Sequence, residues 1–263
     1  LRSRGLGDVY KRQTYMGVYE IRDRDEAVSI MVDKANIAAD TIKNNYDCCV
    51  AYYDEHLLEI SIEQRRLLGE FEPALQNDEF VMYLQPQVKR DGAAKGAEAL
   101  VRWVHPSRGI LTPYAFIDIL ENAGLIYKLD LYIWEKAAQK LAEWKEKGYG
   151  SYHISVNIST KDFYIIDIYE TFTGLINKYG IAASNLHLEI TETTLMTDFE
   201  KNMNIIHKLQ GVGFRVEIDD FGSGYSSLNM LKDISADVLK IDMGFLRKSE
   251  NEVKGQDLSL IHI

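Results

Sequence analysis

The sequence predicts an α/β fold in which parallel strands alternate with helices. Short apolar runs recur along the chain, the segments between them are long enough for helices, and most runs end in an acid, an amide or a lysine. The carboxyl ends of parallel strands meet at one edge of a sheet, where binding sites form. Acids gathered there repel one another unless a cation neutralises them, so the pattern predicts a divalent-metal site for an anionic substrate.

The first part of the chain predicts a strand–helix–strand unit followed by a long charged helix. The strands are predicted at residues 15–21 and 49–53, and an apolar stripe at helical spacing predicts a helix at 27–44. Residues 55–77 also carry apolar residues at helical spacing among many charges, which predicts a linker helix. Pro73 predicts a break or kink in that helix, because proline lacks the amide hydrogen that a helix interior uses.

From residue 78 onward, strand patterns alternate with helix patterns. Strands of this kind with helices between them suit most of a barrel or an open sheet. The predicted strands are 80–88, 94–103, 153–158, 186–191, 214–218 and 238–241, and the predicted helices are 113–123, 129–147, 161–179, 198–210 and 226–231.

Composition excludes some classes of partner. The 263 residues are 46% hydrophobic, which suits one sizeable domain and part of another. Forty acidic against thirty basic residues give a net charge of −10, so duplex nucleic acid is not expected as a partner.

The adjacent cysteines Cys48 and Cys49 suit a reducing compartment, and no apolar run approaches a membrane span, so a cytoplasmic domain is expected. Membrane anchoring by regions outside this sequence stays open.

The two ends of the chain share an unexpected relationship. Residues 8–13 and 258–263 can be back-translated into complementary DNA strings that resemble a transposase adapter used in sequencing libraries. We therefore expect residues 1–13 and 258–263 to be adapter-derived artefacts, as in a fusion scar. The chain is then expected to be a fragment of a longer protein.

Side chains able to bind a metal or carry charge follow several of the predicted strands. Asp219 and Asp220 alone would suit a helix cap equally well, and Glu98 or Lys240 alone would suit a solvent-facing strand position. Their shared place on successive strands is not expected of random surface charge, so we predict that they act together. The full set is Glu98, Asn157, Glu189, Glu192, Asp219, Asp220 and Lys240.

Two further patterns bear on the kind of site. Gly222-Ser223-Gly224 predicts a turn whose amides could meet a phosphate, although glycine is common in strand-to-helix loops. The six histidines show no metal-ligand spacing, and His153 and His187 are expected to lie beside the acids without contributing. An all-oxygen ligand set favours magnesium, manganese or calcium over zinc.

The segment from Glu98 to Trp103, followed by His105-Pro106 and Gly109, resembles the signature of the EAL domain family, the cyclic di-GMP phosphodiesterases. The similarity runs in family order from about residue 80 to residue 246. Its other motifs include Gln85-Pro86, Glu121-Asn122-Ala123-Gly124, Ser155-Val156-Asn157-Ile158-Ser159, Leu188-Glu189-Ile190-Thr191-Glu192, the run from Asp219 to Leu228, and Lys240-Ile241-Asp242.

Residues 14–54 resemble, more weakly, the C-terminal end of a GGDEF domain, the diguanylate cyclase fold that often precedes an EAL domain. Gly17-Val18-Tyr19 would be its late strand. The two resemblances imply a GGDEF-like remnant at 14–54, a linker helix at 55–77 and an incomplete EAL domain at 78–257.

The EAL resemblance implies a modified TIM (β/α)8 barrel with an antiparallel first strand, here truncated after about the sixth strand. It also implies hydrolysis of cyclic di-GMP to the linear dinucleotide with two Mg²⁺ or Mn²⁺ ions. Glu98, Asn157, Glu189 and Asp219 would bind the first ion. Asp219 would bridge to the second ion, which Asp220 would also bind.

The resemblance implies further roles around these ions. Lys240 would orient the attacking water or stabilise developing charge, and Gln85, Leu100 and Arg102 would line the substrate. Glu192 would support a loop that couples metal binding to homodimer contacts in the family. That loop begins with Phe221, Gly222, Ser223 and Gly224.

Two alternatives to hydrolysis stay open: a receptor that binds cyclic di-GMP without hydrolysing it, and a scaffold that makes only protein contacts. Every metal-ligand position of the family that this sequence covers carries the expected residue, which favours the enzyme. The family continues with two more strands that carry a metal-binding Glu and a Gln near the substrate. We therefore expect this chain alone to be inactive and the intact protein to be an enzyme.

Overall fold

The computed structural model describes residues 14–43, 49–88, 92–222 and 235–241. The chain divides into two compact units, Leu1–Phe71 and Glu72–Ile263, each of which is described by itself. The predicted helix at 226–231 lies outside the described residues, as do Ser223 and Gly224. In the part of the chain that is described, no helix combines the length and apolar character needed to cross a bilayer.

The N-terminal unit contains a parallel strand pair with a helix between its strands. β1 (Met16–Val18) pairs with β2 (Val50–Tyr52), and α1 is Val28–Asp40. A Cβ added to Gly17 would lie 1.7 Å from the carbonyl oxygen of Ala35, so only glycine permits this close approach of strand and helix. The predicted strands and helix are therefore present but shorter than expected.

Helix α2 (Glu55–Gln76) contains the boundary between the two units. Of the break or kink predicted at Pro73, the break is wrong, because the helix continues beyond this residue to Gln76. The carbonyl of Pro73 accepts a hydrogen bond from the amide of Asn77, so the last turn is intact. The missing amide hydrogen of proline removes one helical hydrogen bond without ending the helix.

The C-terminal unit is built on a mixed sheet with strand order β3-β4-β6-β7-β8-β9, and β5 pairs with β4 at one side. β3 pairs antiparallel with β4, as predicted, and each later pair along this order is parallel. The short β5 was not predicted. The strands are β3 (Phe80–Val88), β4 (Ala94–His105), β5 (Gly109–Leu111), β6 (His153–Ile158), β7 (Leu186–Thr191), β8 (Arg215–Phe221) and β9 (Val238–Ile241).

Helices connect the parallel strands, with three changes from prediction. The helix predicted at 113–123 is divided into a 3-10 helix, Pro113–Ala115, and a short α-helix that begins at Ile117. The helix predicted at 161–179 is divided, because the Asp167 side chain accepts a hydrogen bond from the Glu170 amide and so begins a new helix. An unpredicted helix begins after the Thr191 cap. The helices are α3 (Ile117–Asn122), α4 (Ile126–Glu146), α5 (Asp162–Ile165), α6 (Ile168–Tyr179), α7 (Glu192–Thr197) and α8 (Phe199–Val212).

Alternation along the strands separates an apolar face from a polar face. Apolar residues such as Ile154, Val156, Leu188 and Val216 are fully buried, and aromatic side chains from the helices pack in the same core. The alternate positions carry most of the polar side chains of the site, because neighbouring residues of a strand point to opposite faces. The core on one face of the sheet therefore directs the candidate ligands to the other face.

Candidate functional site

Three carboxylates from three strands converge on the polar face of the sheet. Glu98 comes from β4, Glu189 from β7 and Asp219 from β8. One carboxylate oxygen from each lies within 4.8 Å of the other two. Glu189 is buried, whereas Glu98 and Asp219 are half-buried. This group could hold a metal ion.

Lys240 on β9 places its ammonium beside all three carboxylates. Its Nζ lies 2.6 Å from Oε2 of Glu189, 3.1 Å from Oε2 of Glu98 and 4.0 Å from Oδ2 of Asp219. Burial by itself would lower the pKa of Lys240, but Glu189, Glu98 and Asp219 outweigh it and raise that pKa above the ordinary value. Lys240 is therefore charged at neutral pH and partly neutralises the carboxylates.

Burial strongly perturbs Glu189. Removal from water, together with the charges of Glu98 and Glu217, raises the pKa of Glu189 to about 8, although Lys240 acts in the opposite direction. Oε2 of Glu189 is buried and, despite the close ammonium, accepts no well-oriented hydrogen bond. A buried carboxylate oxygen whose present partner is a cation, among other carboxylates, fits a hard divalent cation.

Gln87 on β3 is a site residue that the sequence analysis missed. Its Nε2 lies 3.2 Å from Oγ of Ser155 and 3.4 Å from Oε1 of Glu189, as donor to both. Side-chain alternation along the strand could have indicated this residue, because Gln87 lies on the same strand face as the predicted Gln85. Gln85 itself pairs with Glu98 across the antiparallel register and is exposed.

An irregularity in β8 separates the two adjacent aspartates. Ile218 pairs with Leu239 and Phe221 with Ile241, so Asp219 and Asp220 together oppose Lys240 alone. Asp220 is exposed with φ of 54°, a left-handed conformation that aspartate tolerates, and its amide donates a hydrogen bond of 2.9 Å to Oδ1 of Asp219. Asp220 is not part of the three-carboxylate group.

The remaining predicted ligand, Asn157, lies opposite Glu189 in the β6–β7 register. Its side chain is at an exposed position, and its carbonyl accepts a hydrogen bond of 2.9 Å from Nε1 of Trp134 on α4. The indole thereby fixes the end of β6 against the helix layer.

The residues predicted to line the substrate share one strand face with a metal-ligand candidate. Glu98, Leu100 and Arg102 alternate along β4, and all three are half-buried. The guanidinium of Arg102 lies 5.7 Å from the ring centroid of Tyr83 and donates to the carbonyl of Val101 at 2.8 Å. A stacked guanidinium has a restricted orientation.

Glu192 connects α7 with the end of β8. It is buried, and its Oε2 accepts a hydrogen bond of 2.8 Å from the amide of Gly222. Phe221 is also buried, and Gly222 has φ of 90°, which favours glycine. The contact holds the chain directly after the two aspartates.

Two carboxyl groups, of the buried Asp162 and the half-buried Asp130, meet at Ser159, the residue that follows β6. The amide of Ser159 donates to Oδ2 of Asp162 at 2.9 Å, and the Ser159 hydroxyl donates to Oδ2 of Asp130 at 2.7 Å. Burial raises the pKa of Asp162 to about 6 and raises the pKa of Asp130 well above its ordinary value. The charge of Asp162 adds to the rise in the pKa of Asp130, because a nearby like charge disfavours ionisation. The sequence analysis did not identify this pair.

Two of the histidines meet in the fold, although the six show no metal-ligand spacing along the sequence. His153, His187 and Glu217, from three neighbouring strands, each place a ligand atom within 4.8 Å of the other two. Burial would raise the pKa of Glu217, but hydrogen bonds with His187 and Glu189 lower it below the ordinary value. Linear spacing could not reveal this group, because strand register brings its members together.

Two curated relatives support a family assignment. MucR of Pseudomonas aeruginosa, named a bifunctional diguanylate cyclase/cyclic di-GMP phosphodiesterase, is 33% identical over 212 residues, which are 80% of this chain and 30% of MucR. PdeR of Escherichia coli, named a cyclic di-GMP phosphodiesterase, is 32% identical over 185 residues, which are 70% of this chain and 28% of PdeR. The chain thus spans about a third of the length of these relatives.

A solved structure and a family model agree with these matches. The structure described as "PaMucR Phosphodiesterase, c-di-GMP complex" aligns with a TM-score of 0.67 and 33% identity over 73% of this chain and 78% of that chain. Such neighbours indicate an α/β fold of the TIM-barrel type. The family model of the EAL domain matches residues 69–259. The chain therefore belongs to the EAL domain family.

Proposed function

We propose that the protein containing this chain is a metal-dependent phosphodiesterase that hydrolyses cyclic di-GMP to the linear dinucleotide. The observation that carries the proposal is the convergence of Glu98, Glu189 and Asp219 around the ammonium of Lys240. The names of MucR and PdeR support the activity, and the MucR complex supports the ligand.

The donor set favours Mg²⁺ or Mn²⁺. Glu98, Asn157, Glu189 and Asp219 would hold one ion, and Asp220 with Asp219 would hold a second. All donors are oxygens, which suit hard divalent cations. Ions of this kind would lower the pKa of a bound water, which favours its deprotonation, and would neutralise phosphate charge.

The chain's own residues would prepare the site for a phosphodiester. Glu189, whose pKa is about 8, would release its proton when the site is filled, because a carboxylate must be ionised to act as a ligand. Lys240 would keep its charge and hold the carboxylates in position. Arg102, oriented by Tyr83, would donate to a phosphate oxygen of the substrate, with Gln85 and Leu100 beside it.

We also propose that the Glu192–Gly222 contact positions the loop that follows β8 and so affects dimer contacts of the intact protein. The supporting observation is that this contact lies directly after Asp219 and Asp220. A backbone shift caused by metal binding at the carboxylates would therefore displace the loop, because only a short length of chain separates them.

The decisive experiment measures formation of the linear dinucleotide by the complete gene product with Mg²⁺, with Mn²⁺ and after chelation. We expect product only with metal, and loss of at least about 100-fold in turnover for Glu98→Gln, because one group stabilising a transition state contributes this much. Glu146→Gln, at an exposed position of α4, is the matched control. Unchanged turnover in Glu98→Gln contradicts the proposal, and tight binding without product supports the receptor.

A further inference from the structure

His153, His187 and Glu217 form a second group of metal-ligating side chains on the polar face, hereafter the imidazole cluster. His187 precedes Glu189 by two residues and Glu217 precedes Asp219 by two, so strand alternation places the members of each pair on the same face. The imidazole cluster therefore lies one layer below the three carboxylates, toward the amino ends of the strands.

The contacts within the imidazole cluster are close. Nδ1 of His187 lies 2.6 Å from Oε1 of Glu217, and the rings of His153 and His187 stack with centroids 3.8 Å apart and planes 3° from parallel. Oε1 of Gln87 lies 2.8 Å from Nε2 of His153. Two ring nitrogens, a carboxylate and an amide oxygen thus meet in one small region.

The surrounding backbone leaves room for the His153 ring. A Cβ added to Gly96, the residue opposite His153 in the β4–β6 register, would lie 2.3 Å from Nε2 of that ring. His187 and Glu217 are only 4% and 3% exposed, and His153 is half-buried. Burial and the neighbouring His187 lower the pKa of His153 to about 4, so its imidazole is neutral at pH 7 and one of its two nitrogens carries a lone pair.

We propose that His153, His187 and Glu217 bind a transition-metal ion of the zinc class, with Gln87 as a fourth, oxygen donor. Two imidazoles and one carboxylate are a ligand set that zinc accepts, whereas magnesium prefers oxygen ligands alone. The proposal concerns a site separate from the three carboxylates and does not depend on the proposed function.

Binding requires the half-buried His153 ring to rotate out of its stack with His187, because the in-plane lone pairs of two parallel rings do not converge on one ion. Ligands of a tetrahedral zinc ion lie about 3.3 Å apart when the metal–ligand distances are about 2.0 Å. The 2.6 Å contact between His187 and Glu217 would open by less than 1 Å as the ion replaces the proton between them. The ligand atom of His153 already lies within 4.8 Å of those of His187 and Glu217 and would move toward the ion.

The first test uses the wild-type chain after chelation and addition of one equivalent of Zn²⁺. X-ray absorption should show two imidazole ligands at about 2.0–2.1 Å together with oxygen ligands. A spectrum with oxygen ligands only, or with a single imidazole, would overturn the proposal. This measurement requires no variant to fold.

The second test measures zinc affinity by competition with a chromophoric chelator. His187→Gln and His153→Gln should each weaken binding by at least about 100-fold, since even partners of metal ligands contribute 10- to 100-fold. His207→Gln, at an exposed position of α8, and Glu98→Gln should retain wild-type affinity.

Unchanged affinity in both cluster variants would overturn the proposal, and so would an equal loss in His207→Gln or Glu98→Gln. Circular dichroism of each variant establishes that it is folded. If a cluster variant is unfolded, the absorption spectrum of the wild-type chain decides the matter.

Discussion

Oε2 of Glu192 accepts a hydrogen bond of 2.8 Å from the backbone amide of Gly222, and this contact joins α7 to the end of β8. Glu192 is buried, and Gly222 adopts a φ of 90°. The chain that leaves the Asp219-Asp220 pair is therefore held by an acid from the neighbouring strand–helix connection. The contact therefore fixes the backbone of Gly222 relative to α7.

Replacing Glu192 with alanine should lower turnover of cyclic di-GMP by the complete gene product roughly 10- to 100-fold, because a lost hydrogen bond to a charged group costs about 1.5–3 kcal/mol. The measurement is steady-state production of the linear dinucleotide. Glu200→Ala, which removes an exposed acid from the first turn of α8, should have little effect. Equal losses in the two variants would argue against a specific role of the Gly222 contact.

Replacing Lys240 with methionine should lower turnover at least about 100-fold, as expected for a group that stabilises developing charge. The pKa of Glu189 should also rise further, because Lys240 is the group that now lowers it. The kinetic assay is paired with titration of the metal-free chain by carboxyl-group NMR. Lys208→Met at an exposed position of α8 is the control. Wild-type turnover and an unmoved Glu189 pKa would contradict the role of Lys240.

The buried Asp162, beside Asp130, predicts a pH dependence of stability. The pKa of Asp162 is about 6 in the folded chain, mainly because of burial, whereas an aspartate in an unfolded chain titrates near 3.9. The folded state therefore binds more protons between these values, so the free energy of unfolding should decrease as pH rises from about 4 to 7. Asp162→Asn should flatten that decrease.

Urea unfolding at a series of pH values measures this effect. The exposed Asp118 on α3 offers a matched control, because Asp118→Asn removes a carboxylate from the same region of the chain. A pH dependence that is the same in wild type and Asp162→Asn would remove Asp162 as its cause.

Gly96→Ala should destabilise the chain by about 1–3 kcal/mol, because overpacking a filled region has this cost. The new methyl group would lie 2.3–2.4 Å from three atoms of the His153 ring. Gly174→Ala, within α6, meets nothing within 4 Å and should instead stabilise by about 0.5–1 kcal/mol. Thermal unfolding of both variants measures whether each substitution lowers or raises the stability of the chain. Stabilisation by Gly96→Ala would show that His153 can leave its position freely.

Strand alternation and strand ends made much of the site predictable. The strands at 153–158, 186–191 and 238–241 have the predicted bounds, and Glu98, Glu189, Asp219 and Lys240 converge as a consequence of their position on these strands. The antiparallel β3 was expected only from the family resemblance. Propensity alone does not distinguish it from a parallel strand.

The residues that the sequence analysis missed depend on register between strands. Gln87 reaches Glu189 across a separation of 102 residues, and His187 meets Glu217 because β7 and β8 pair in one particular alignment. Periodicity within one strand cannot reveal such an alignment. The buried Asp162 was missed for a related reason, because its partner Asp130 lies on a different helix.

Strand β4 carries both a metal-ligand candidate and the guanidinium proposed for phosphate binding. Glu98 and Arg102 are four residues apart on this continuous strand, so their Cα atoms are about 13 Å apart at 3.2–3.4 Å per residue. Pairing with β3, β5 and β6 holds the strand on both sides. Any ligand that contacts both side chains must therefore span a distance that is determined by the covalent backbone of a single strand.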